Sequence, residues 1–569
     1  MTFSCNTDDV IEQITEEKPV IILDSSTGIY DVIQGETLVI SPDYINITDA
    51  RYQWEIDGVV VADTPSLTYK WDETGEFYVT ITVVCKNGTV QEELKVIVTE
   101  PALPVISLPL SNDNIDVLIG NDFVITPEIK NRNDSEFKIK WEVNSKVVSE
   151  ELKFIFHAEN TGDYNISVTA TNSFGSDSRS FMIHVVEELP INITFPTISY
   201  FNKSTTRYTF ANRPIYITPI ISRLESTTIN WLVDGMKVDC ISSTYVFTPS
   251  VPGDFDITVL VDDKYSATMK VVCVDATEEQ RMRSASSSAN NNATKVFEYC
   301  PAPGQFIGDT NVGGMTGLET TLDAANEWAL NRLKNNNYVS LGGFGGYIIV
   351  GFDHSIKNNN GSFDFSIMGN AFFNAQSGTG GSNEPGIIYV MQDVNGNGLP
   401  DDEWYELRGS NTGIDGTLQN YAITYYKPAG DNMSVQWTDN IGNSGMIDYL
   451  SSFHRQPSYY PAWIGDASYT LYGTRLEARN TQDSQTGMWD NWAFDWGYAD
   501  NMGSDLISSG SEASGEGQSN GFMISNAMYP DFTNIPLQYI DFIKVQTGVC
   551  AKSGHLGELS TEVFGFIDL

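Results

Sequence analysis

Three tryptophans at nearly even spacing constrain this chain more than any other feature: Trp54, Trp141 and Trp231, 87 and 90 residues apart. Each sits in a short run with strand character, Tyr52-Gln53-Trp54-Glu55-Ile56, Ile139-Lys140-Trp141-Glu142-Val143 and Ile229-Asn230-Trp231-Leu232-Val233. A glycine, an acid and an aromatic follow 21 or 22 residues after each tryptophan: Gly75-Glu76-Phe77, Gly162-Asp163-Tyr164 and Gly253-Asp254-Phe255. Strict apolar–polar alternation comes next, as in Tyr164-Asn165-Ile166-Ser167-Val168-Thr169-Ala170. Alternation of period two marks a strand with one buried face, and a repeat of this length marks an array of like modules. One tryptophan strand and one aromatic strand per module predict two facing sheets closed over a large indole.

On these residues the modules resemble immunoglobulin-like domains of the polycystic-kidney-disease (PKD) type. That family carries a Gly-Asp-Gly turn after the tryptophan strand; here Asp57-Gly58 and Asp234-Gly235 keep part of it, and the second repeat departs from it with Asn144-Ser145. Prolines after Glu100 and Leu189 end strands and mark module boundaries. The sequence therefore divides into a tether, residues 1–17; three Ig-like modules, 18–100, 101–188 and 189–276; a polar, serine- and asparagine-rich linker, 277–295; and a larger C-terminal domain, 296–569. Short proline-bearing joints predict that the modules act as an extended stalk. The fold class expected is all-β, with three tandem sandwiches followed by a larger jelly-roll-like sandwich. The one clear stretch of helical spacing is Thr320–Leu333.

The chain holds 74 acidic and 32 basic residues, a net charge of −42. Such a surface repels phosphate backbones and excludes nucleic acid as a partner. No run of 18 or more apolar residues is present, so no transmembrane helix is expected. Ser4-Cys5 resembles the end of a bacterial lipobox, and Asp8-Asp9 resembles the acidic export signal of surface lipoproteins of Bacteroidota. The resemblance implies a lipid on Cys5 and display on the outer membrane, with the membrane contacted through that anchor alone. Of the other cysteines, Cys240 with Cys273 and Cys300 with Cys550 are the pairings the domain layout suggests.

Three segments of the C-terminal domain carry chemistry. The first is Asp393-Val394-Asn395-Gly396-Asn397-Gly398, with Asp401 at the ninth position. Alternate oxygens followed by glycine are the pattern of a calcium loop, in which a tight turn aims side-chain oxygens at one centre. Position twelve is Trp404, so Glu403 or Glu406 must replace the usual bidentate glutamate. Strand-like flanks place the loop in a hairpin, and the expected Ca2+ role is structural, with Asp393, Asn395, Asn397, Asp401 and Glu403 as ligands. The second segment runs from Gly342 through Asp353, Asp364 and Asn370, whose polar side chains read as strand-end supports. A strand follows these glycines, which excludes a dinucleotide loop.

The third segment is aromatic. His454, Arg455, Tyr459, Tyr460 and Trp463, then Trp489, Trp492, Trp496 and Tyr498, lie among prolines, glycines and asparagines. Rings on loops supply area and polar neighbours fix orientation, which suits a flat amphipathic ligand. The histidines are scattered, and neither HExxH nor GxSxG occurs, so no enzyme is expected. The whole build is similar to surface lipoproteins with PKD-type repeats, some of which capture corrinoids. That resemblance implies capture of cobalamin or a related corrinoid for an outer-membrane transporter. The alternatives are a glycan-binding module of a polysaccharide system, an adhesin and a hydrolase.

Overall fold

A computed structural model describes residues 19–569, apart from 26, 87, 133–135, 198, 224–226, 311–314, 374–379, 451–453, 483–488 and 509–517. Cys5 lies outside the described residues. The chain divides into two compact units: Met1–Pro104 with Asn131–Lys138 and Thr171–Ser176, and Val105–Lys130 with Ile139–Ala170 and Asp177–Leu569.

The three repeats share one topology. In the first, a five-stranded sheet runs Ile29–Ile33, Gly88–Thr99, Gly75–Cys85, Arg51–Ile56, Val59–Ala62 in spatial order. The second repeats it with Asn114–Leu118, Gly175–Val186, Gly162–Asn172, Lys138–Val143, Lys146–Ser149. The third does so with Arg207–Thr209, Tyr265–Cys273, Gly253–Val261, Ile229–Val233, Met236–Val238. In each, the first of these strands runs parallel to its neighbour and the rest are antiparallel. Trp54, Trp141 and Trp231 are fully buried. Each indole Nε1 donates to a backbone carbonyl ten or eleven residues on, that of Thr64, Glu151 or Ser242, at 2.8–3.0 Å. A buried N–H without such a partner would be strongly destabilising.

The C-terminal domain is built from a six-stranded antiparallel sheet and two four-stranded sheets. The larger sheet runs Lys295–Cys300, Tyr347–Lys357, Tyr539–Thr547, Gly386–Met391, Trp404–Leu407, Ala527–Met528. One four-stranded sheet centres on Phe365–Met368, the other on Leu418–Tyr426 and Ser468–Arg475. A single apolar core joins all three, through Val350 and Ile388, Phe365 and Phe566, and Ile423 and Leu471. Inner strands such as Gly386–Met391 are buried at every position, because both faces are covered. The helix Leu322–Lys334 forms where its spacing predicts, capped by Thr321, whose hydroxyl accepts from the Ala324 N–H. The architecture is all-β with sandwich sheets, in line with the expectation from sequence.

The expectation of a free stalk does not hold for the second and third repeats. Gln436 Nε2 donates to the Thr126 carbonyl at 2.9 Å, and the Ala429 N–H donates to Ser107 at 3.1 Å. Arg207 pairs with Glu403 at 3.2 Å, Arg213 Nη1 donates to Gln392 at 2.6 Å, and Tyr216 donates to Asp531 at 2.8 Å. The polar stretch after residue 277 is also held down. Glu278 meets Arg213, Gln392 and the Gln538 N–H, while Arg283 reaches Asp541 at 3.0 Å. The two suggested disulfides are absent: Cys85, Cys240, Cys273, Cys300 and Cys550 are all free thiols. Cys300 is enclosed in the large core and Cys273 in the third repeat, each fixed by its own strand.

Candidate functional site

Strand alternation builds a cleft between the third repeat and the C-terminal domain. Along Trp404–Leu407, Tyr405 and Leu407 are buried while Trp404 and Glu406 are half-buried on the opposite face. Along Ser468–Arg475, Tyr469 and Leu471 enter the core while Thr470 and Tyr472 face outward. Thr424 beside them shares a hydroxyl–hydroxyl hydrogen bond with Thr470 at 2.8 Å. Trp404, Glu406, Thr424, Thr470 and Tyr472, with Arg207, Tyr216 and Tyr529 opposite, line a cavity of about 550 Å³. That volume lies inside the range of roughly 300–1,000 Å³ common for small-molecule sites.

The rim is fixed by contacts across the seam. Arg207 Nη1 donates both to the Tyr216 carbonyl, at 3.0 Å, and to Glu403 Oε1. The Tyr216 and Tyr529 rings stack at 5.0 Å between centroids. Burial lifts the Glu403 carboxyl, and the Arg207 charge opposes that lift. Burial pushes Glu406 up to about 7, against the pull of the Thr474 hydroxyl, which donates to it at 2.5 Å. Gln419, Asn420 and Asn440 add amides to the lining. The lining thus combines aromatic planes, paired or partly neutral carboxyls, hydroxyls and amides. Such a surface holds a ligand rich in hydroxyl or amide groups.

The rings singled out from sequence fall mostly elsewhere, and in two separate cores. Tyr459 is 0% exposed, Tyr460 4% and Trp463 8%. Their polar atoms are spent internally: Tyr459 donates to the His454 carbonyl, Tyr460 to the Asp466 carbonyl, and Trp463 Nε1 to the Tyr299 carbonyl. Tyr498 is buried in a smaller cluster with Phe494, Leu476 and Val549. These four rings pack the interior and correct the expectation that they face a ligand. His454 is half-buried, 3.1 Å from Asp309 and edge-on to Phe306. Arg455 is exposed. Trp489 and Trp496 are half-buried, and Trp492 is 41% exposed, its Nε1 donating to Thr481 at 2.9 Å. None of the nine lines the cleft.

The loop expected to hold calcium brings four of its five residues together. Asp393 accepts from the N–H groups of Gly396, Asn397 and Gly398 at 2.8–3.0 Å. The side-chain amides of Asn395 and Asn397 each donate to one oxygen of Asp401 at 2.9 Å. Glu403 is the exception. It turns into the cleft to meet Arg207. Asp402, absent from the expected set, enters the loop instead. Its Oδ2 accepts from Val394 N–H at 2.6 Å, and its buried Oδ1 has no partner. Burial is the main cause that raises Asp402 to about 8, and the Asp401 and Asp393 charges add to it. Asp364 behaves as the strand-end support expected, with both oxygens on backbone N–H groups of Asn359 and Ile524.

Sequence reasoning did not place Trp404, Glu406, Tyr472 or Arg207 at a cleft; Glu406 entered it only as an alternative calcium ligand. The alternation in Trp404-Tyr405-Glu406-Leu407 was a signal for the first two. Nothing in the chain announced that a repeat some 200 residues upstream supplies the other wall.

Residues 18–85 and 103–172 match the family of PKD-like domains, so the first two repeats are PKD-like. Several solved structures align with the array at low similarity. Drosophila OTK extracellular domains 3–5 share 12% identity over 45% of this chain and 97% of that one, with a TM-score of 0.19. The three N-terminal domains of the bacteriophage RB49 outer capsid protein Hoc share 13% over 46% of this chain and 100% of that one, with a TM-score of 0.17. Fibronectin(III)-like modules of Clostridium thermocellum CbhA share 14% over 29% of this chain and 94% of that one, with a TM-score of 0.19. These scores carry no argument about the ligand. No curated protein matches the chain.

Proposed function

We propose that the protein captures a short glycan, without transforming it, in the cleft between its third repeat and its C-terminal domain. The observation that carries this reading is the cleft lining. Trp404 and Tyr472 offer partly exposed rings beside the Thr470 and Thr424 hydroxyls and the Asn420 and Asn440 amides. Sugars present apolar faces edged by hydroxyls, and stacking on a ring while polar neighbours set orientation is the matching chemistry. A lipid on Cys5 would display the module on the outer membrane, next to a transporter that imports the ligand. Calcium in the Asp393–Asp401 loop, with the orphaned Asp402 Oδ1 as an added donor, would stiffen the hairpin that leads into Trp404. The test is calorimetric titration of the full chain with a panel of oligosaccharides. Binding to at least one, lost in Trp404→Ala, is expected; no binding across a broad panel overturns it.

A second reading, corrinoid capture, draws on Trp492 and its half-buried neighbours Trp489 and Trp496. A corrinoid is flat and amide-rimmed, which suits exposed indole planes. Mixing with cyanocobalamin and desalting decides between the two. Red protein whose colour is lost in Trp492→Ala favours the corrinoid, and colourless protein removes it.

A further inference from the structure

Away from the cleft, three carboxylates converge inside the C-terminal domain. Glu384 precedes the strand Gly386–Met391, Asp500 follows the bridge between Gly386 and Ala499, and Glu562 opens the short strand paired with Val339–Ser340. One oxygen from each lies within 4.8 Å of the others. The backbone fixes this arrangement: Glu384 N–H donates to the Asp500 carbonyl at 3.0 Å, and Asp500 holds a left-handed φ of 54°. Asp500 is 0% exposed and Glu562 4%.

The hydrogen bonding around the trio is incomplete in one direction. Asp500 Oδ1 accepts from the N–H groups of Asn370 and Ala371, and its Oδ2 accepts only from Glu562 N–H, at 3.0 Å. Glu384 Oε1 has a long contact, 3.4 Å, from Ser560 N–H. Glu562 Oε1 is buried with no hydrogen-bond partner. A carboxylate oxygen left bare in the interior is expensive, and three such groups together repel one another. The Ser340 and Ser560 hydroxyls, the Asn370 side chain and the Glu384 carboxyl all lie within hydrogen-bonding reach of the Glu562 side chain.

We propose that Glu384, Asp500 and Glu562 bind one hard divalent cation of the calcium class, with Ser340, Ser560 or Asn370 completing an all-oxygen shell. Three acidic oxygens and several neutral ones suit an ion that accepts six to eight oxygens in a flexible geometry. The site is distinct from the Asp393 loop and independent of what the cleft binds. It ties three segments far apart in sequence, at 384, 500 and 562, into one joint of the domain.

The test uses the full chain, stripped with EDTA and titrated with Ca2+ by calorimetry and thermal unfolding. The background is Asp393→Asn with Asp401→Asn, which disables the hairpin loop. The expected result is one remaining equivalent of Ca2+ that raises Tm. Adding Glu384→Gln or Glu562→Gln should weaken it by about tenfold or more. A stripped loop variant with no response to Ca2+, or one whose response survives both glutamine changes, overturns the proposal. The trio would then be a proton-sharing cluster. A readout without these variants is a wild-type crystal soaked in Mn2+ or Tb3+. An anomalous peak among the three carboxylates supports the proposal, and its absence at full loop occupancy refutes it.

Discussion

Each repeat turns its tryptophan hairpin with one residue doing two jobs. Asp57, Asn144 and Asp234 have φ of 47–49°, and the residue after each is also left-handed, the two-residue turn that matches strand twist. Each side chain then accepts from a backbone N–H on the neighbouring strand: Asp57 from Tyr78 at 3.1 Å, Asn144 from Asn165 and Asp234 from Asp256 at 2.9 Å. Asp234→Ala loses both the acceptor and the tolerance for positive φ. It should destabilise the third repeat by about 1–3 kcal/mol, read as earlier cleavage near residue 234 in limited proteolysis. Trp231→Ala should cost about 3–5 kcal/mol by the same readout. Both features were legible in the sequence, because spacing and turn chemistry are local. A pH effect also belongs to single residues. Glu406 is raised from 4.5 to about 7, so its contribution is complete below about pH 4.5 and is lost as pH rises through about 7. Lys544, enclosed between the Tyr347 and Tyr389 rings, is lowered to about 7, so stability gains from it only as pH climbs from about 7 towards 10.5. Thermal unfolding between pH 4.5 and 7 should show a fall in Tm that shrinks in Glu406→Gln.

At the level of strands and loops, reading from sequence succeeds or fails according to burial. The hairpin Asp393–Asp401 was visible, because its oxygens and glycines follow the geometry of a turn. The aromatic loops were misread, because proline and glycine locate a loop without saying whether another layer covers it. Tyr459, Tyr460 and Trp463 lie on such a covered loop, and backbone carbonyls satisfy their polar atoms. Trp404 and Trp463 therefore make opposite predictions. Trp463→Ala should lower Tm by several degrees through lost core packing while leaving ligand affinity within about twofold. Trp404→Ala should weaken binding at least tenfold, about 1.4 kcal/mol, with a smaller change in Tm.

The whole molecule sets the cleft, since one wall comes from the third repeat and the other from the C-terminal sheets. Arg207 reaches Glu403 across 196 positions and Tyr216 reaches Asp531 across 315. Polar contacts at such separations leave no periodic trace, which is why the seam could not be read from sequence while the repeats could. Arg207→Ala removes the bridge to Glu403 and the bond to the Tyr216 carbonyl, leaving Glu403 half-buried without its cation. Titration should show ligand affinity reduced by more than tenfold while the circular dichroism spectrum is unchanged.

The parallel pairing of the second and last strands in each repeat has a mechanical side. Ile29–Ile33 lies beside Gly88–Thr99, so force drawing the ends of that module apart would shear the two strands lengthwise. Every rung between them would then bear load together, where an antiparallel pair gripped at one end would unzip rung by rung. A module wired this way withstands tugging better than its equilibrium stability alone would indicate.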